Sequence, residues 1–262
     1  MDNIQERLDY LWDIRDRRVD NWYLMSSPWP TVMISLMYWL ISLKIGPLFM
    51  QNRPAYELKS TLQIYNLLQV VISAYTFYEA GMSGWFTHYN WICQDIELDS
   101  NPGSSGYRMA AVCYIYFLSK FLEFCDTFFF ILRKKYSHVS TLQLLHHGLM
   151  PIYGYIMVRW LPGGHETFGG TFNSLVHVFM YAYYFLASFG PHMQKYLWWK
   201  KYLTTFQMFQ FFCVFLHSCI LIFGVANCGY PWEFSLISLF MMSLFFVLFA
   251  DFYTQAYKKK EK

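Results

Sequence analysis

The stretch Thr141-Leu-Gln-Leu-Leu-His146-His147 places two adjacent imidazoles inside an apolar segment, and Asn173-Ser-Leu-Val-His177 places a third in the next one. Both segments have the length and apolar character of membrane-spanning helices. Polar side chains are costly in hydrocarbon, and those that occur there usually serve a function. The two stretches therefore predict a helical membrane protein with a reactive site inside it.

The composition favours a membrane protein over a soluble one. Of 262 residues, 56% are apolar, 22% are aromatic and only 14% are charged, with a mean hydropathy of +0.22. A typical soluble chain carries about 25% charged residues. Windows of about 20 residues predict seven spans, near 30–50, 60–80, 108–132, 139–160, 168–189, 202–226 and 232–254. The predicted fold is a single all-α integral membrane domain over residues 1–262.

The positions of the basic residues indicate an orientation. Arg133-Lys134-Lys135 follow the third predicted span, Lys195–Lys201 the fifth and Lys258-Lys259-Lys260 the seventh. Because short cytosolic loops are enriched in lysine and arginine, seven spans put residues 1–29 in the lumen and the basic tail 255–262 in the cytosol. Within that tail, Lys259 and Lys260 match a dilysine address for retrieval to the endoplasmic reticulum. The alternative is an ordinary positive-inside tail.

Two of the six cysteines, Cys93 and Cys228, fall in loops that this topology places in the lumen. Because the lumen is oxidising, a disulfide between them is expected, and two free thiols are the alternative. The other four cysteines fall within predicted spans, where a thiol is most often a small core residue.

Polar side chains recur on four predicted spans at a similar depth. With a rise of about 1.5 Å per residue, most of them lie within roughly 10 to 16 Å of the nearest basic loop. Spacings of three and four residues keep each set on one face of its helix. The sets are Lys120, Glu123 and Asp126; Gln143, His146 and His147; Asn173 and His177, followed by Tyr184; and Thr204, Gln207 and Gln210. Such a coincidence of depth predicts a cavity that opens to the cytosol.

Less specific interpretations compete for some of these residues. Lys120 and Glu123 would neutralise one another at a spacing of three, although Asp126 would then stay an unpaired acid. The stripe that begins at Thr204 would also serve as a polar contact between helices of a membrane bundle. The isolated histidines outside the two opening motifs are expected to be structural.

In order and spacing, these residues resemble the signature boxes of the very-long-chain fatty-acid elongases. The boxes read Lys120-x-x-Glu123-x-x-Asp126-Thr127, Gln143-x-x-His146-His147, Asn173-x-x-x-His177-x-x-Met180-Tyr181-x-Tyr183-Tyr184 and Thr204-x-x-Gln207-x-x-Gln210-Phe211. The resemblance covers nearly the whole chain and is nearest to the insect and animal branch.

The resemblance implies a 3-ketoacyl-CoA synthase of the endoplasmic reticulum membrane. Such an enzyme condenses a long-chain acyl-CoA with malonyl-CoA and releases carbon dioxide and CoA. Its fold would have seven helices, six of them enclosing an acyl-chain tunnel. The expected partners are membrane lipid and the reductases and dehydratase of the elongation cycle, with a monomer and a homodimer both open. No cofactor beyond the two CoA substrates, no metal and no nucleic acid are expected.

By the same resemblance, His146 is the nucleophile that takes the acyl group as an acyl-imidazole. His177, Asn173 and His147 would polarise the enolate and oxyanion that form when malonyl-CoA loses carbon dioxide, with Asp126 in the same catalytic group. The chemistry is reasonable in itself, because a neutral imidazole attacks a thioester readily near pH 7 and leaves the acyl group activated.

The resemblance also assigns substrate-binding residues. Those expected to meet the CoA phosphates and the malonyl carboxylate are Lys120, Arg133, Lys135 and Lys200, and those expected nearby are Glu123, Gln143, Tyr184, Thr204, Gln207 and Gln210. The family pair of lumenal cysteines is similar to Cys93 and Cys228. One position departs from the family pattern, since the box more often begins with histidine where this chain has Gln143. Glutamine can hydrogen-bond but cannot take up a proton, so only a positioning role is expected for it.

Three other interpretations stay open at this point. A di-iron desaturase needs about eight imidazole or carboxylate ligands, whereas the chain has 8 histidines in all, several of them in predicted loops. A seven-helix receptor or transporter shares the topology but does not explain polar groups gathered at the cytosolic end. Within the condensing-enzyme interpretation, Cys125 beside Asp126 is the alternative acyl acceptor to His146.

Overall fold

Helices make up the regular structure of the computed structural model, which describes residues 4–258, and no β-strand occurs among those residues. The prediction of an all-α chain is confirmed for this part. The α-helices are α1 (Ile4–Asp13), α2 (Trp29–Leu40), α3 (Gly46–Met50), α4 (Lys59–Ala80), α5 (Ser105–Leu122), α6 (Phe124–Leu132), α7 (Thr141–Trp160), α8 (Thr167–Ala187), α9 (Lys200–Ile222) and α10 (Trp232–Tyr253). A π-helical turn over Ile41–Ile45 joins α2 to α3.

Within the described residues, three helical segments are both long and apolar enough to cross a membrane: Trp29–Met50, Lys200–Ile222 and Trp232–Tyr257. The segments that match the other four predicted spans are of similar length. Their polar residues, such as Lys120 and Glu123, lower the mean hydropathy. Length and mean hydropathy therefore identify three spans rather than the seven predicted. Polar residues inside the other four segments lower the mean hydropathy on which this identification depends.

The predicted span 108–132 is not one continuous helix, which corrects that expectation. It is divided into α5 and α6 at Glu123, whose backbone N–H donates to the carbonyl of Ser119 at 3.1 Å. The next turn is tighter, because the N–H of Asp126 donates to the carbonyl of Glu123, also at 3.1 Å. The junction puts the carboxylate of Glu123 beside Lys120 in the interior, so the break coincides with the most polar point of the segment.

Six helices close into a ring. Around it, α4 packs on α8, α8 on α9, α9 on α10, α10 on α7, α7 on α5 and α5 back on α4, while α2 lies outside against α7. A core cluster that includes Met150, Phe211 and Phe245 joins α7, α9 and α10. The ring encloses a space, as a tunnel of six helices requires.

The loops gather at the two ends of the ring. At one end, Cys93 is joined to Cys228 with their Cα atoms 5.7 Å apart, and the N–H of His165 donates to the carbonyl of Gln94 at 2.9 Å. We call this the disulfide end, formed by residues 14–28, 86–104, 161–166 and 223–231. At the other, the N–H of Tyr56 donates to the carbonyl of Leu132 at 3.0 Å. We call it the basic end, formed by residues 51–58, 133–140, 188–199 and 254–258.

Gly148 allows α2 to approach α7 closely. The indole of Trp39 lies over this glycine and donates from Nε1 to the carbonyl of Leu144 at 2.8 Å. A Cβ atom at Gly148 would stand 2.3 Å from the Trp39 ring, so the indole would have to move. An alanine at this position would therefore crowd the Trp39 indole and disturb its hydrogen bond to Leu144.

We expect Gly148→Ala to destabilise the protein by about 1–3 kcal/mol, because an overpacked interior forces side chains from their rotamers. The measurement is the Tm of the purified protein in detergent. Gly170→Ala is the matched control, since a Cβ there meets nothing within 4 Å and alanine is the better helix former by about 1 kcal/mol. Equal Tm values for the two variants would contradict this account of the α2–α7 contact.

Candidate active site

The helix ring surrounds a pocket that is lined by residues of all six of its helices. Most of its wall is apolar, from residues of α5, α7, α9 and α10 such as Met109, Met157 and Val214. Polar side chains lie among them. They include His146, Asn173 and Gln210, then Glu166 and Thr167 near the disulfide end, and Thr76, Tyr116, Tyr153, Thr171 and Ser174 elsewhere on the wall. The pocket is thus mainly apolar, with His146 as part of its wall.

His146 is the imidazole of α7 that faces this cavity. Its ring is half-buried and packs against Phe245, with ring centroids 4.8 Å apart. None of the residues in 4–258 forms a hydrogen bond with it, so neither ring nitrogen is engaged by the described part of the chain. His147 is buried, does not line the cavity, and its Nδ1 has no partner among the described residues. The adjacent histidines thus have different surroundings.

Asn173 of α8 is held by two neighbouring helices, α5 and α9. Its Oδ1 accepts a hydrogen bond from the Tyr116 hydroxyl at 2.8 Å and lies 3.5 Å from the Lys120 ammonium. Its Nδ2 donates to Oε1 of Gln210 at 3.1 Å. The carboxamide therefore has a fixed orientation at the cavity wall, and Gln210 is the one member of the predicted α9 stripe that joins it.

Lys120, Glu123 and His177 form a buried charged group behind that wall. The Lys120 ammonium donates to Oε1 of Glu123 at 2.6 Å, and Nδ1 of His177 lies 3.3 Å from the same oxygen. The three side chains are only 1%, 3% and 7% exposed. The Lys120 ammonium, which was expected to meet the CoA phosphates and the malonyl carboxylate, is interior and paired with Glu123. The neutralising pair that the sequence left as an alternative is present.

Asp126 lies apart from the histidines, one turn beyond Glu123. Its Oδ2 accepts a hydrogen bond from the Tyr181 hydroxyl at 2.8 Å, and it does not line the cavity. The expectation of an unpaired acid is therefore wrong. The side chain of Tyr181 is the partner, and a hydroxyl can satisfy a carboxylate without a second charge.

Gln143 contacts α6 rather than the cavity. Its Nε2 donates to Oγ1 of Thr127 at 3.1 Å, and that hydroxyl also shares a hydrogen bond of 2.8 Å with Tyr38 of α2. The carboxamide links α7 to α2 and α6 one turn before His146. This geometry fits a positioning role, because the hydrogen bond from Gln143 to Thr127 fixes the turn of α7 that precedes His146.

The remaining predicted residues of α8 and α9 lie nearer the basic end. Thr204 shares a hydrogen bond of 3.4 Å with the hydroxyl of Tyr257, and Nε2 of Gln207 is 3.4 Å from the sulfur of Met180. Tyr184 is 40% exposed and meets Tyr181 edge to face. None of these three lines the cavity, so they form its approach rather than its reactive layer.

Arg133, Lys135 and Lys200 gather at the basic end, around His138. Partial desolvation lowers the pKa of His138, and the positive charges of Lys135, Lys200 and Arg133 lower it further. The pKa of Lys135 is lowered in the same way, by desolvation and by Arg133. Three cations on two loops thus form one positive surface. Lys259 and Lys260 of the basic tail lie outside the described residues.

Sequence reasoning gave no role to three residues that shape the site: Tyr116 and Glu166, which it did not name, and Tyr181, which it named only as part of a box. Tyr116 also places its ring 4.2 Å from the Lys120 ammonium, and its spacing of four from Lys120 was a usable signal. Tyr181, four residues after His177, was equally within reach of a periodicity argument. Glu166 gave no such signal, since it precedes a span and lines the cavity only through the turn into α8. Within residues 4–258, no group of three or more His, Cys, Asp or Glu side chains could hold a metal ion.

Comparison with known proteins places the chain in a family. Residues 23–262 match the model of the ELO family, described as GNS1/SUR4. The chain is 47% identical to very long chain fatty acid elongase 7 of Drosophila melanogaster, over 94% of its own length and 74% of that protein. It is 40% identical to human very long chain fatty acid elongase 4, over 97% and 79% respectively. The chain therefore belongs to the ELO family of membrane enzymes of fatty acid elongation.

Proposed function

We propose that this protein joins a long-chain acyl-CoA to malonyl-CoA and so forms a 3-oxoacyl-CoA that is two carbons longer, together with carbon dioxide and CoA. The observation that carries the proposal is the position of His146. Its ring lines the mainly apolar pocket, forms no hydrogen bond with the described residues, and shares the pocket wall with the fixed carboxamides of Asn173 and Gln210. A nucleophile on the wall of an apolar pocket is what an acyl transfer requires.

In the first step, a ring nitrogen of His146 attacks the thioester carbon of the acyl-CoA. The carbon–sulfur bond breaks, CoA leaves as a thiolate that takes up a proton, and the acyl group stays as an acyl-imidazole. The apolar wall holds the alkyl chain and excludes water, which protects this activated intermediate from hydrolysis.

In the second step, malonyl-CoA loses its carboxylate as carbon dioxide, and the electrons of the broken carbon–carbon bond form an enolate. The enolate carbon attacks the acyl carbonyl, the carbon–nitrogen bond to His146 breaks, and the departing imidazolate takes up a proton from solvent, which regenerates the imidazole. Hydrogen-bond donors near the reacting atoms would stabilise the negative oxygen that develops. Nδ2 of Asn173, at the wall, is the first candidate. Nε2 of His177, in the buried group behind the wall, is the second, because Glu123 engages the other ring nitrogen.

The substrate head groups would bind at the basic end. Arg133, Lys135 and Lys200 provide the positive charge that CoA phosphates require. Lys120 has a different role in this arrangement. It balances Glu123, and Glu123 in turn fixes the tautomer of His177. Asp126 would hold Tyr181 in the turn after His177 rather than touch a substrate.

The same proposal includes a place in the cell. The chain forms one domain with seven spans in the endoplasmic reticulum membrane, its disulfide end in the lumen and its basic end in the cytosol. The disulfide and the clustered lysines and arginines support this orientation. Product would pass to the reductases and dehydratase that complete an elongation cycle, acting on lipid-embedded substrate.

The test uses the protein purified in detergent. Incubation with long acyl-CoAs alone should raise the intact mass by one acyl group, mapped by peptide analysis to the segment that contains His146. Addition of malonyl-CoA should remove this acyl group and release 3-oxoacyl-CoA two carbons longer. Product without any acyl-enzyme would contradict the histidine intermediate, and no product from a monodisperse sample would contradict the condensing reaction itself.

A further inference from the structure

Three side chains on the pocket wall form a chain of hydrogen bonds that runs in one direction. The hydroxyl of Tyr116 donates to Oδ1 of Asn173 at 2.8 Å, and Nδ2 of Asn173 donates to Oε1 of Gln210 at 3.1 Å. The three residues lie on α5, α8 and α9, and all of them line the pocket. Gln210 is the last member, since its Nε2 forms no hydrogen bond with any described residue.

A buried cation sets the direction of this chain. The Lys120 ammonium lies 3.5 Å from the same Oδ1 of Asn173. An ammonium has only donors, so the Asn173 atom that faces it must be the oxygen, and the carboxamide nitrogen must point toward Gln210. Gln210 then offers its oxygen to that nitrogen and turns its own nitrogen away from Asn173. The interior charge thus determines which end of the Gln210 carboxamide remains without a partner.

The unpartnered Nε2 of Gln210 borders the pocket. The residue is only 2% exposed, yet Nε2 is not among the unpartnered side-chain atoms of the described residues that are completely enclosed by protein. It therefore borders internal space, and the space that Gln210 lines is the pocket. Holding Asn173 requires only the oxygen of Gln210, so the N–H groups of Nε2 are available to a ligand.

An N–H donor in an apolar pocket favours a ligand that carries an acceptor. Hydrocarbon cannot accept a hydrogen bond, so the alkyl part of an acyl chain would leave the donor unpaired at a cost in free energy. The carbonyl oxygen at the head of the chain can accept it. The fold also connects Gln210 to the histidine, because the next residue, Phe211, packs on Phe245 with ring centroids 6.0 Å apart. Phe245 in turn packs on the ring of His146 at 4.8 Å.

We propose that Nε2 of Gln210 donates a hydrogen bond to the acyl carbonyl oxygen while the acyl group is transferred to His146. This inference rests on the proposed function, because it adds a catalytic residue to the same reaction. As the imidazole nitrogen attacks the carbonyl carbon, an electron pair of the carbon–oxygen double bond moves to the oxygen. The pair returns when the carbon–sulfur bond breaks and CoA leaves as a thiolate. A donor that is oriented before the reaction stabilises the negative oxygen between these two events.

The test measures acyl-enzyme formation by Gln210→Met, with the purified full-length protein and a long acyl-CoA alone. We expect the rate constant to fall by about 100-fold, the scale of one lost oxyanion donor, while the Kd for the acyl-CoA stays near that of the unmodified protein. With an isotope label on the carbonyl carbon, the infrared band of the acyl carbonyl on the enzyme should move to higher wavenumber, because a hydrogen bond to its oxygen is lost.

Gln69→Met is the matched control, since it also removes a buried carboxamide from a helix of the ring. Nε2 of Gln69 donates to the Tyr65 hydroxyl at 3.0 Å, and the residue does not line the pocket. We expect it to change neither the rate constant nor the infrared band. Equal rate losses in the two variants would mean a general effect on the fold and would overturn the role of Gln210.

The possible failures are distinguishable. If Gln210→Met forms the acyl-enzyme at the unmodified rate and its carbonyl band does not move, this inference is wrong and the proposed function stands. If the unmodified protein forms neither acyl-enzyme nor 3-oxoacyl-CoA, the proposed function fails and the inference fails with it. If Gln210→Met does not fold, Gln210→Asn decides by the same two readings, because it keeps the carboxamide but withdraws the donor by one carbon–carbon bond.

Discussion

His146→Ala is expected to lower the rate of 3-oxoacyl-CoA formation by at least about 1,000-fold, the scale seen when a covalent nucleophile is removed. Alanine deletes the ring that faces the cavity and leaves the helix intact, because His146 makes no hydrogen bond with the described residues. The measurement is product formation from acyl-CoA and malonyl-CoA, with Tm and elution profile as evidence of folding. Acyl-enzyme formation should be lost in parallel.

Cys125→Ala is the matched comparison, because a thiol is the other acyl acceptor that the sequence offers. Cys125 is half-buried on α6 and does not line the cavity. We therefore expect Cys125→Ala to keep activity within about 3-fold of the unmodified protein, the effect of a small packing change. An inactive Cys125→Ala protein beside an active His146→Ala protein would transfer the nucleophile to the thiol.

The sequence predicted best those features that depend on a single constraint within one helix, such as its apolar length or the depth of its polar residues. The apolar runs predicted the helices, and the recurrence of polar residues at one depth brought His146, Asn173, His177 and Gln210 to one region. Their partners were less accessible. A spacing of three suggested that Lys120 could pair within its own helix, but nothing local indicates that the same carboxylate also serves a histidine of α8.

The features that the sequence did not predict depend on contacts between helices. The helix break at Glu123 occurs without proline or glycine, so no local sequence pattern indicates it. The partner of Asp126 comes from another helix, because Tyr181 is 55 residues further along the chain. Glu166 finds its hydrogen-bond partners in serines of two other helices, Ser218 of α9 and Ser235 and Ser238 of α10. Contacts of this kind depend on how helices meet, which periodicity within one helix does not contain.

Lys120→Met is expected to destabilise the protein by about 3–5 kcal/mol, because it leaves the carboxylate of Glu123 buried without its strongest partner. The two side chains are 1% and 3% exposed, so water cannot replace the ammonium. For a chain of this size the loss corresponds to a Tm lower by about 10 °C. Thermal unfolding in detergent measures it directly.

The double variant Lys120→Met/Glu123→Gln separates lost charge balance from lost packing. Glutamine keeps the size of Glu123 and an acceptor for His177 but removes the charge, so most of the Tm should return while activity stays low. Arg108→Met on the same helix is the control, since its pair with Glu79 is 39% and 15% exposed and should contribute only about 0–1 kcal/mol. A double variant no more stable than Lys120→Met would mean that the ammonium acts through packing against Tyr116 and Asn173, and that His177 alone balances the acid.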